Sequence, residues 1–181
     1  MSDRVNTILQ SIKDNAQAGS YDSIISTCGI LDESMTPARK AEYIKDVLNE
    51  LERIRGAQTV EKVMKPCGHS CISKVTIMKA KESFKRSKNL DQFLKLLNEQ
   101  HIAGGNLYSK DGTIVATYDK CYCDLGMNVK EMPPVYCTCS AGWLEGLFSG
   151  AFDKDVDVRR VRTILEGSDK CVFEINVECR E

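Results

Sequence analysis

Residues 106–118 read NLYSKDGTIVATY, and this stretch decides the fold class of the chain. Asn106 to Ser109 and Thr113 to Tyr118 are strand-like runs that flank Asp111-Gly112. Asp-Gly tolerates positive φ and is typical of a tight β-turn, so the stretch predicts an antiparallel hairpin. The hairpin marks the point at which the sequence changes from helical to β-containing.

The residues before the hairpin are predicted to be helical, because their apolar side chains recur every three or four positions. Thr36 is placed to cap a helix that has Pro37 at its first position and is terminated by Gly56. Asn89 is placed to cap a later helix in the same way. The predicted apolar stripes are Val5, Ile8, Leu9 and Ile12; Tyr21, Ile24, Ile25 and Cys28; Ala41, Ile44, Leu48, Leu51 and Ile54; Val60, Val63 and Met64; Ile72, Val75, Met78 and Phe84; and Leu90, Phe93, Leu94 and Leu97.

The residues after the hairpin predict one helix and two further strands. Ser140 is placed to cap a helix that carries Trp143 and Leu144, and the strands Val156–Leu165 and Cys171–Val177 are separated by a turn at Gly167. The order indicates an α+β fold, in which N-terminal helices precede a β-β-α-β-β antiparallel sheet unit. The length predicts one domain over residues 1–181, mainly helical at 1–105 and β-β-α-β-β at 106–181.

The charge balance disfavours some classes of partner. The chain has 25 basic and 26 acidic residues, so no global field attracts nucleic acid or an anionic membrane. Met1 to Asp14 carries charges and amides, and no apolar stretch has the length of a signal peptide or a membrane span. We therefore expect a cytoplasmic protein that binds neither nucleic acid nor membranes, with a small-molecule ligand and homo-oligomer formation both open.

Cysteine chemistry is the main functional signal. The chain has nine cysteines, and in a reducing compartment clustered thiols serve as metal ligands, redox pairs or nucleophiles. Six of them form three close pairs, each at the end of a predicted element or in a loop, where the backbone can wrap an ion. We predict these six as metal ligands: Cys67, Cys71, Cys121, Cys123, Cys137 and Cys139.

The count of six leaves the identity of the site open, because zinc takes four ligands. Four thiolates could bind one zinc while two are spectators, an iron–sulfur cluster could be held, or one pair could be redox-active. Zinc is the expected cofactor and an iron–sulfur cluster the alternative. Cys123 and Cys139 carry the strongest argument, since the first follows a hairpin strand and the second opens a helix whose N-terminal amides favour thiolate. The remaining cysteines, Cys28, Cys171 and Cys179, are expected to be packing residues rather than ligands, because a free cysteine behaves as a small hydrophobe.

Two other side chains near the cysteine pairs have simple structural interpretations. His69 is predicted to be a solvated loop residue, with metal ligand and general base as alternatives. Trp143 is predicted to anchor the core.

The C-terminal sequence resembles a known family. From Cys137 it reads CTCSAGWLEGLF, then Val156-Asp-Val, then Gly167-Ser-Asp-Lys-Cys-Val-Phe173, which is similar to the C-terminal half of the 4-vinyl reductase (V4R) domain. The resemblance implies an α+β fold and a small-molecule or metal-binding sensor with cysteine ligands. Arg160 and Thr163 stand where that family carries an acidic residue and a cysteine. The Cys67 and Cys121 pairs look like those of an uncharacterised group of bacterial cysteine-rich proteins, and they can supply the lost thiolate.

Three classes of function follow from this sequence. The first is a metal-binding, V4R-like sensor or small-molecule binding domain that uses clustered thiolates. The alternative is a cysteine-dependent hydrolase of a small heterocyclic or amide substrate, in which a thiolate near His69 is the nucleophile. The third is a structural interaction module, in which the thiols react only on unfolding.

Overall fold

A computed structural model describes residues 2–177 of the chain. The helices are α1 (Ser2–Asn15), α2 (Ser20–Cys28), α3 (Pro37–Arg55), α4 (Ala57–Cys71), α5 (Lys74–Arg86), α6 (Leu90–Glu99), a one-turn α7 (Asp124–Met127) and α8 (Thr138–Phe152). The strands are β1 (Leu107–Lys110), β2 (Thr113–Tyr118), β3 (Val156–Arg162) and β4 (Cys171–Val177). Short 3-10 turns occupy Ile102–Gly105, Pro134–Cys137 and Ile164–Glu166. This order confirms the predicted α+β fold class.

The helix boundaries follow from local capping in two cases and not in a third. The side chain of Thr36 accepts a hydrogen bond from the backbone N–H of Arg39, and that of Asn89 accepts one from Gln92, as predicted. The prediction for Ser140 is wrong. Helix α8 begins at Thr138 and continues directly from the 3-10 turn before it, so no side chain caps it.

The four strands form one antiparallel sheet in the order β1-β2-β4-β3. Asp111 and Gly112 both have positive φ and make the predicted hairpin turn between β1 and β2. Ile175 in the central strand β4 lies opposite Ile114 of β2 and Val158 of β3. All three side chains are buried, so this row forms part of the face that packs on α8.

The buried side chains form two clusters. One joins α1 to α4 with residues 125–136, and the other joins α6, α8 and the sheet. In α5 the predicted apolar stripe is wrong, because Val75 and Met78 are each 61 % exposed and the buried residues are Ala80 and Ser83. Residues 2–177 contain no helix that is both long enough and apolar enough to span a bilayer.

Helices α4 and α8 cross at two glycines and so connect the two clusters. A Cβ atom on Gly68 would lie 2.0 Å from the carbonyl oxygen of Cys139, and one on Gly142 would lie 2.0 Å from that of Lys65. No real Cβ approaches an oxygen so closely, so the backbones can cross at this distance only because both positions are glycine. The crossing places the end of α4, with its two cysteines, beside the first turn of α8.

Candidate functional site

The structure divides the six predicted ligands between two groups of thiols. Cys67, Cys71, Cys123 and Cys139 lie together around the side chains of Arg4 and Tyr136, and we call this group the Arg4 cluster. Cys121 and Cys137 lie instead with Cys171, and we call this second group the Cys171 cluster. Cys139 and Cys137 are two residues apart, so the two clusters meet at the start of α8.

Arg4 connects α1 to the segment that follows the hairpin. Its Nη1 donates a hydrogen bond to Sγ of Cys123 at 3.0 Å, and the same atom pairs with the carboxylate of Asp124. Sγ of Cys123 also lies 2.7 Å from Oη of Tyr136, a buried phenol. Arg4 therefore gives this cluster a fixed positive charge.

Cys71 and Cys139 form a thiol pair within the Arg4 cluster. Their side chains lie next to each other at the α4–α8 crossing, and each changes the pKa of the other. The hydrogen bond from Cys139, followed by the charge of Arg4, lowers the pKa of Cys71 to about 6 although burial opposes this. The same hydrogen bond and then burial raise the pKa of Cys139 well above its ordinary value. At neutral pH the pair therefore holds one thiolate and one thiol.

Cys67 completes the Arg4 cluster from one helical turn before Cys71. It is 1 % exposed, and its thiol donates to the carbonyl oxygen of Val63 at 3.2 Å. Burial raises the pKa of Cys67 to about 11, so it is protonated at neutral pH. Residues four apart share one face of a helix, which explains why both cysteines of α4 reach the same cluster.

The Cys171 cluster lies between the start of α8 and the first residue of β4. The backbone N–H of Ile164 donates to Sγ of Cys171 at 3.4 Å, and the thiol of Cys137 lies beside Cys171. The hydrogen bond from Cys137 lowers the pKa of Cys171 to about 7, whereas this bond and then burial raise that of Cys137. Half-buried Cys121 lies beside the pair, and burial raises its pKa.

The sequence did not predict two of these participants. Packing explained Cys171 adequately, and this cysteine is indeed buried in the second core cluster, but it also has a thiol partner. The sequence does place Cys171 at the start of a predicted strand. That strand, β4, pairs with the end of β2, and the chain runs from there to Cys121. Arg4 gave no signal, since it lies 119 residues before Cys123. Cys28 packs against the first core cluster, and Cys179 lies outside the described residues.

The predictions for His69 and Trp143 are each only partly right. His69 is exposed as predicted, but it lies in α4 rather than in a loop, with Nε2 2.8 Å from Oε2 of Glu145 on α8. Lys65 binds the other oxygen of the same carboxylate at 2.8 Å. Trp143 is partly buried and packs against the second core cluster. His69 therefore belongs to an ion-pair group on the surface of the α4–α8 crossing.

The thiols are not arranged around an ion. Within residues 2–177, no three His, Cys, Asp or Glu side chains are already positioned to hold a metal. The sulfurs of the Arg4 cluster instead bond to Arg4, Tyr136, a backbone carbonyl and one another. The donor set itself, four cysteine sulfurs, matches the number and the type of ligand that structural zinc prefers.

A groove of about 480 Å³ between α1 and α4 reaches the Arg4 cluster. Its volume is in the range of small-molecule sites. Its lining is polar apart from Pro66 and Cys67 and comprises Asn6, Thr7, Gln10, Ser11, Asp14, Asn15 and Ser70. Cys67 is thus shared between the thiol cluster and a groove that is open to solvent.

Comparisons with known proteins identify a family. A family model described as "Family of unknown function (DUF6144)" matches residues 2–180. No curated protein matches the chain. Among solved structures, the chain is similar to the phenol-responsive sensory domain of the transcription activator PoxR, crystallised with phenol. The two share 14 % sequence identity and superpose with a TM-score of 0.47. The alignment covers 89 % of this chain and 91 % of that chain. The resemblance to V4R domains stays a prediction.

Proposed function

We propose, for a chain that belongs to the DUF6144 family of unknown function, a role as a metal-binding sensor domain whose Arg4 cluster binds one zinc ion. The ligands would be Cys67, Cys71, Cys123 and Cys139. One observation carries the proposal: four cysteines from three separate segments of the chain converge on one cluster. Cysteines that served only as small apolar side chains would not need to collect around a guanidinium.

The charge of the cluster supports a metal centre. Zinc bound by four thiolates carries a net charge of −2, and such a charge is stabilised by donors and cations outside the ligand shell. Arg4 already donates to Sγ of Cys123, and the buried hydroxyl of Tyr136 can donate to the same atom. Binding would remove the protons of Cys67 and Cys139 and rotate the sulfurs towards a common centre at about 2.3 Å from the ion.

The groove between α1 and α4 supports a small-molecule role for the same region. Cys67 lines this groove and also belongs to the Arg4 cluster, so a ligand in the groove would contact a proposed zinc ligand. Arg4 anchors α1, one wall of the groove, to the cluster. A change in metal occupancy would therefore move the wall of the groove, which is the coupling that a sensor requires.

Titration with zinc and with cobalt(II) tests the metal centre. The reduced protein should bind one equivalent of either ion, and cobalt should give the sulfur charge-transfer and visible bands of a tetrahedral thiolate site. Changing Cys71 or Cys123 to Ser should weaken binding at least 100-fold. Cys28→Ser, at the end of α2 beside Asp46 and Glu50, should not change it. Failure of the wild type to bind either ion, or unchanged affinity in both cluster variants, would refute the proposal.

The cysteine-dependent hydrolase is the second candidate, and Cys71 is the residue that favours it. Its lowered pKa and its proximity to Arg4 give a thiolate at neutral pH, the form that a nucleophile needs. His69, the proposed base, binds Glu145 instead. Stoichiometric alkylation of Cys71 alone by iodoacetamide, with loss of a catalysed turnover, would favour the hydrolase. Protection of several thiols until a chelator is added would favour the metal centre.

A further inference from the structure

We propose that a second groove, lined by α4, the first turn of α8 and β3, binds a small organic anion that carries a phosphate or carboxylate group. We call it the β3 groove. It shares no lining residue with the groove between α1 and α4, and none of the proposed zinc ligands lines it. The inference therefore goes beyond the proposed function and does not depend on metal binding.

The β3 groove has room for an organic molecule. Its volume is about 560 Å³, within the range of small-molecule sites. Buried Ala141 and Val158 contribute apolar surface, and Gln58 and Thr138 contribute polar groups. A ligand with both a carbon part and a polar part therefore matches this lining.

Cationic side chains dominate the charged part of the lining. Within the part of the chain that the structure describes, Lys62, Lys65, Arg159 and Arg160 line the groove against one carboxylate, that of Glu61. A cleft lined by one sign of charge raises the local concentration of ligands of the opposite sign. This lining favours an anion over a neutral or cationic ligand.

The local structure of two elements brings these cations together. Lys62 and Lys65 are three residues apart on α4 and therefore share one face of the helix. Arg159 and Arg160 are consecutive in β3, and consecutive strand residues ordinarily point to opposite faces. Both line the groove beside an irregularity in the pairing of β3 with β4, between Arg160 and Arg162. Such bulges re-aim side chains and are over-represented next to functional sites.

The two lysines differ in their surroundings. Lys62 is exposed and forms no salt bridge within residues 2–177, so an anion would reach it without competition from a carboxylate. Nζ of Lys65 lies 2.8 Å from Oε1 of Glu145 and 3.8 Å from Oδ1 of Asp157. An ammonium group has three donors, so Lys65 keeps donor capacity for an oxyanion beside its Glu145 contact.

The two arginines also keep donors for a ligand. Arg159 pairs through Nη2 with Glu174 on β4. Arg160 donates from Nη1 to a backbone carbonyl oxygen, and its Nη2 lies 3.8 Å from Glu166 and 4.0 Å from Glu61, too far for hydrogen bonds. A guanidinium has five N–H donors in a planar fork that suits phosphate and carboxylate oxygens. A bound anion would therefore replace only the long ion pairs of Arg160.

Isothermal titration calorimetry of the full-length protein tests the site with four probes. We expect one equivalent of phenyl phosphate or of benzoate to bind with a Kd of about 1 mM or lower, and the tighter of the two identifies the preferred oxyanion. Benzyl alcohol, which has the ring without the charge, and inorganic phosphate, which has the charge without the ring, should each bind at least 5-fold more weakly. The proposal is overturned if neither organic anion binds below about 10 mM, or if either control probe binds as tightly.

Matched variants locate the binding. Lys62→Gln and Arg159→Gln should each weaken binding of the tighter anion at least 5-fold, and both positions are exposed, so the fold should stay intact. Lys79→Gln and Arg86→Gln remove the same charges from exposed positions on α5 and should change the affinity less than 2-fold. Unchanged binding in both groove variants, or an equal loss in the α5 variants, contradicts the assigned site.

Hydrogen–deuterium exchange of the wild type decides the proposal even if a groove variant does not fold. Strand β3 is at the edge of the sheet, so part of its backbone N–H groups have no strand partner and exchange readily. The tighter anion should slow exchange in residues 156–162. Absence of protection there, or protection confined to residues 2–15 of the other groove, would overturn the inference.

Discussion

Substitution of Gly142 by Ala tests whether the close α4–α8 crossing holds the fold and the Arg4 cluster together. The new Cβ would lie 2.0 Å from the carbonyl oxygen of Lys65, and ordinary contact begins at about 3.4 Å, so the helices must separate by roughly 1.4 Å. The obstructing atom belongs to the backbone of a helix and cannot rotate away. Gly146→Ala is the matched control, because its Cβ would lie 3.4 Å from Cγ2 of Ile72, an ordinary contact.

Only the Gly142→Ala variant should lose stability. Either substitution gains about 1 kcal/mol of helix propensity, because alanine restricts the unfolded chain more than glycine does. At position 142 the overpacking cost is at or above the upper end of about 1–3 kcal/mol. We expect Gly142→Ala to lose about 2 kcal/mol or more of unfolding free energy, which lowers the melting temperature by roughly 4–8 °C. Gly146→Ala should be neutral or slightly more stable.

Urea unfolding measures both effects. Trp143 is the only tryptophan of the chain and lies on α8 beside Gly142, so its fluorescence reports on the crossing, while circular dichroism reports on total helix. Zinc titration of the folded Gly142→Ala protein should show weaker binding, because the separated helices would also separate Cys71 from Cys139. If the free energies of unfolding of the two variants agree within about 0.5 kcal/mol, the crossing does not have the assigned role.

Four further perturbations test other parts of the structure. Arg4→Gln should raise the pKa of Cys71 from about 6 towards 9, which would shift the pH profile of its alkylation by iodoacetamide. Substitution of Arg39, an exposed residue in the first turn of α3, by Gln should leave that profile unchanged. Identical profiles for the wild type and Arg4→Gln would remove Arg4 from the site. The pKa of Cys71 in the folded protein lies below its ordinary value of 9.0, so its thiolate stabilises the fold. This contribution should be complete above pH 9 and lost as the pH falls through about 6. Urea unfolding of the metal-free protein at several pH values measures the loss. Removal of zinc by a chelator should lower the melting temperature of the wild type but not that of Cys123→Ser, and an equal decrease in both would place the metal elsewhere. Thr36→Ala should cost about 1 kcal/mol of unfolding free energy through loss of the α3 cap, and Thr36→Ser, which keeps a capping hydroxyl, is the matched control.

The sequence predicts those parts of the fold that depend on short-range chemistry. The Asp111-Gly112 hairpin and the caps at Thr36 and Asn89 each involve atoms within a few residues of one another, so their patterns are sufficient. The face of α5 was predicted wrongly because its burial is decided by α8, where Gly150 admits the side chain of Ile77. Because glycine has no side chain, α8 accepts Ile77 at a position that the apolar periodicity of α5 does not indicate.

The candidate site could likewise be predicted only in part from the sequence. The pair spacing identified six cysteines. It did not indicate that they divide between two clusters, because this division depends on the direction of each side chain at the start of α8. Cys137 and Cys139 are neighbours in sequence and belong to different clusters, which no spacing rule distinguishes. Cys171 joins one of them through strand pairing, and Arg4 joins the other through tertiary packing.

The pairing of Arg4 with Asp124, 120 positions later, has a consequence for biosynthesis. During translation Arg4 leaves the ribosome before Cys67 and Cys71, and Cys139 leaves well after them. Until then Cys67 and Cys71 are exposed on a nascent chain that has neither the partner thiol nor the second helix of the crossing. The four thiols of the Arg4 cluster can therefore come together only after residue 139 has emerged, later than helices α1 to α4 can form.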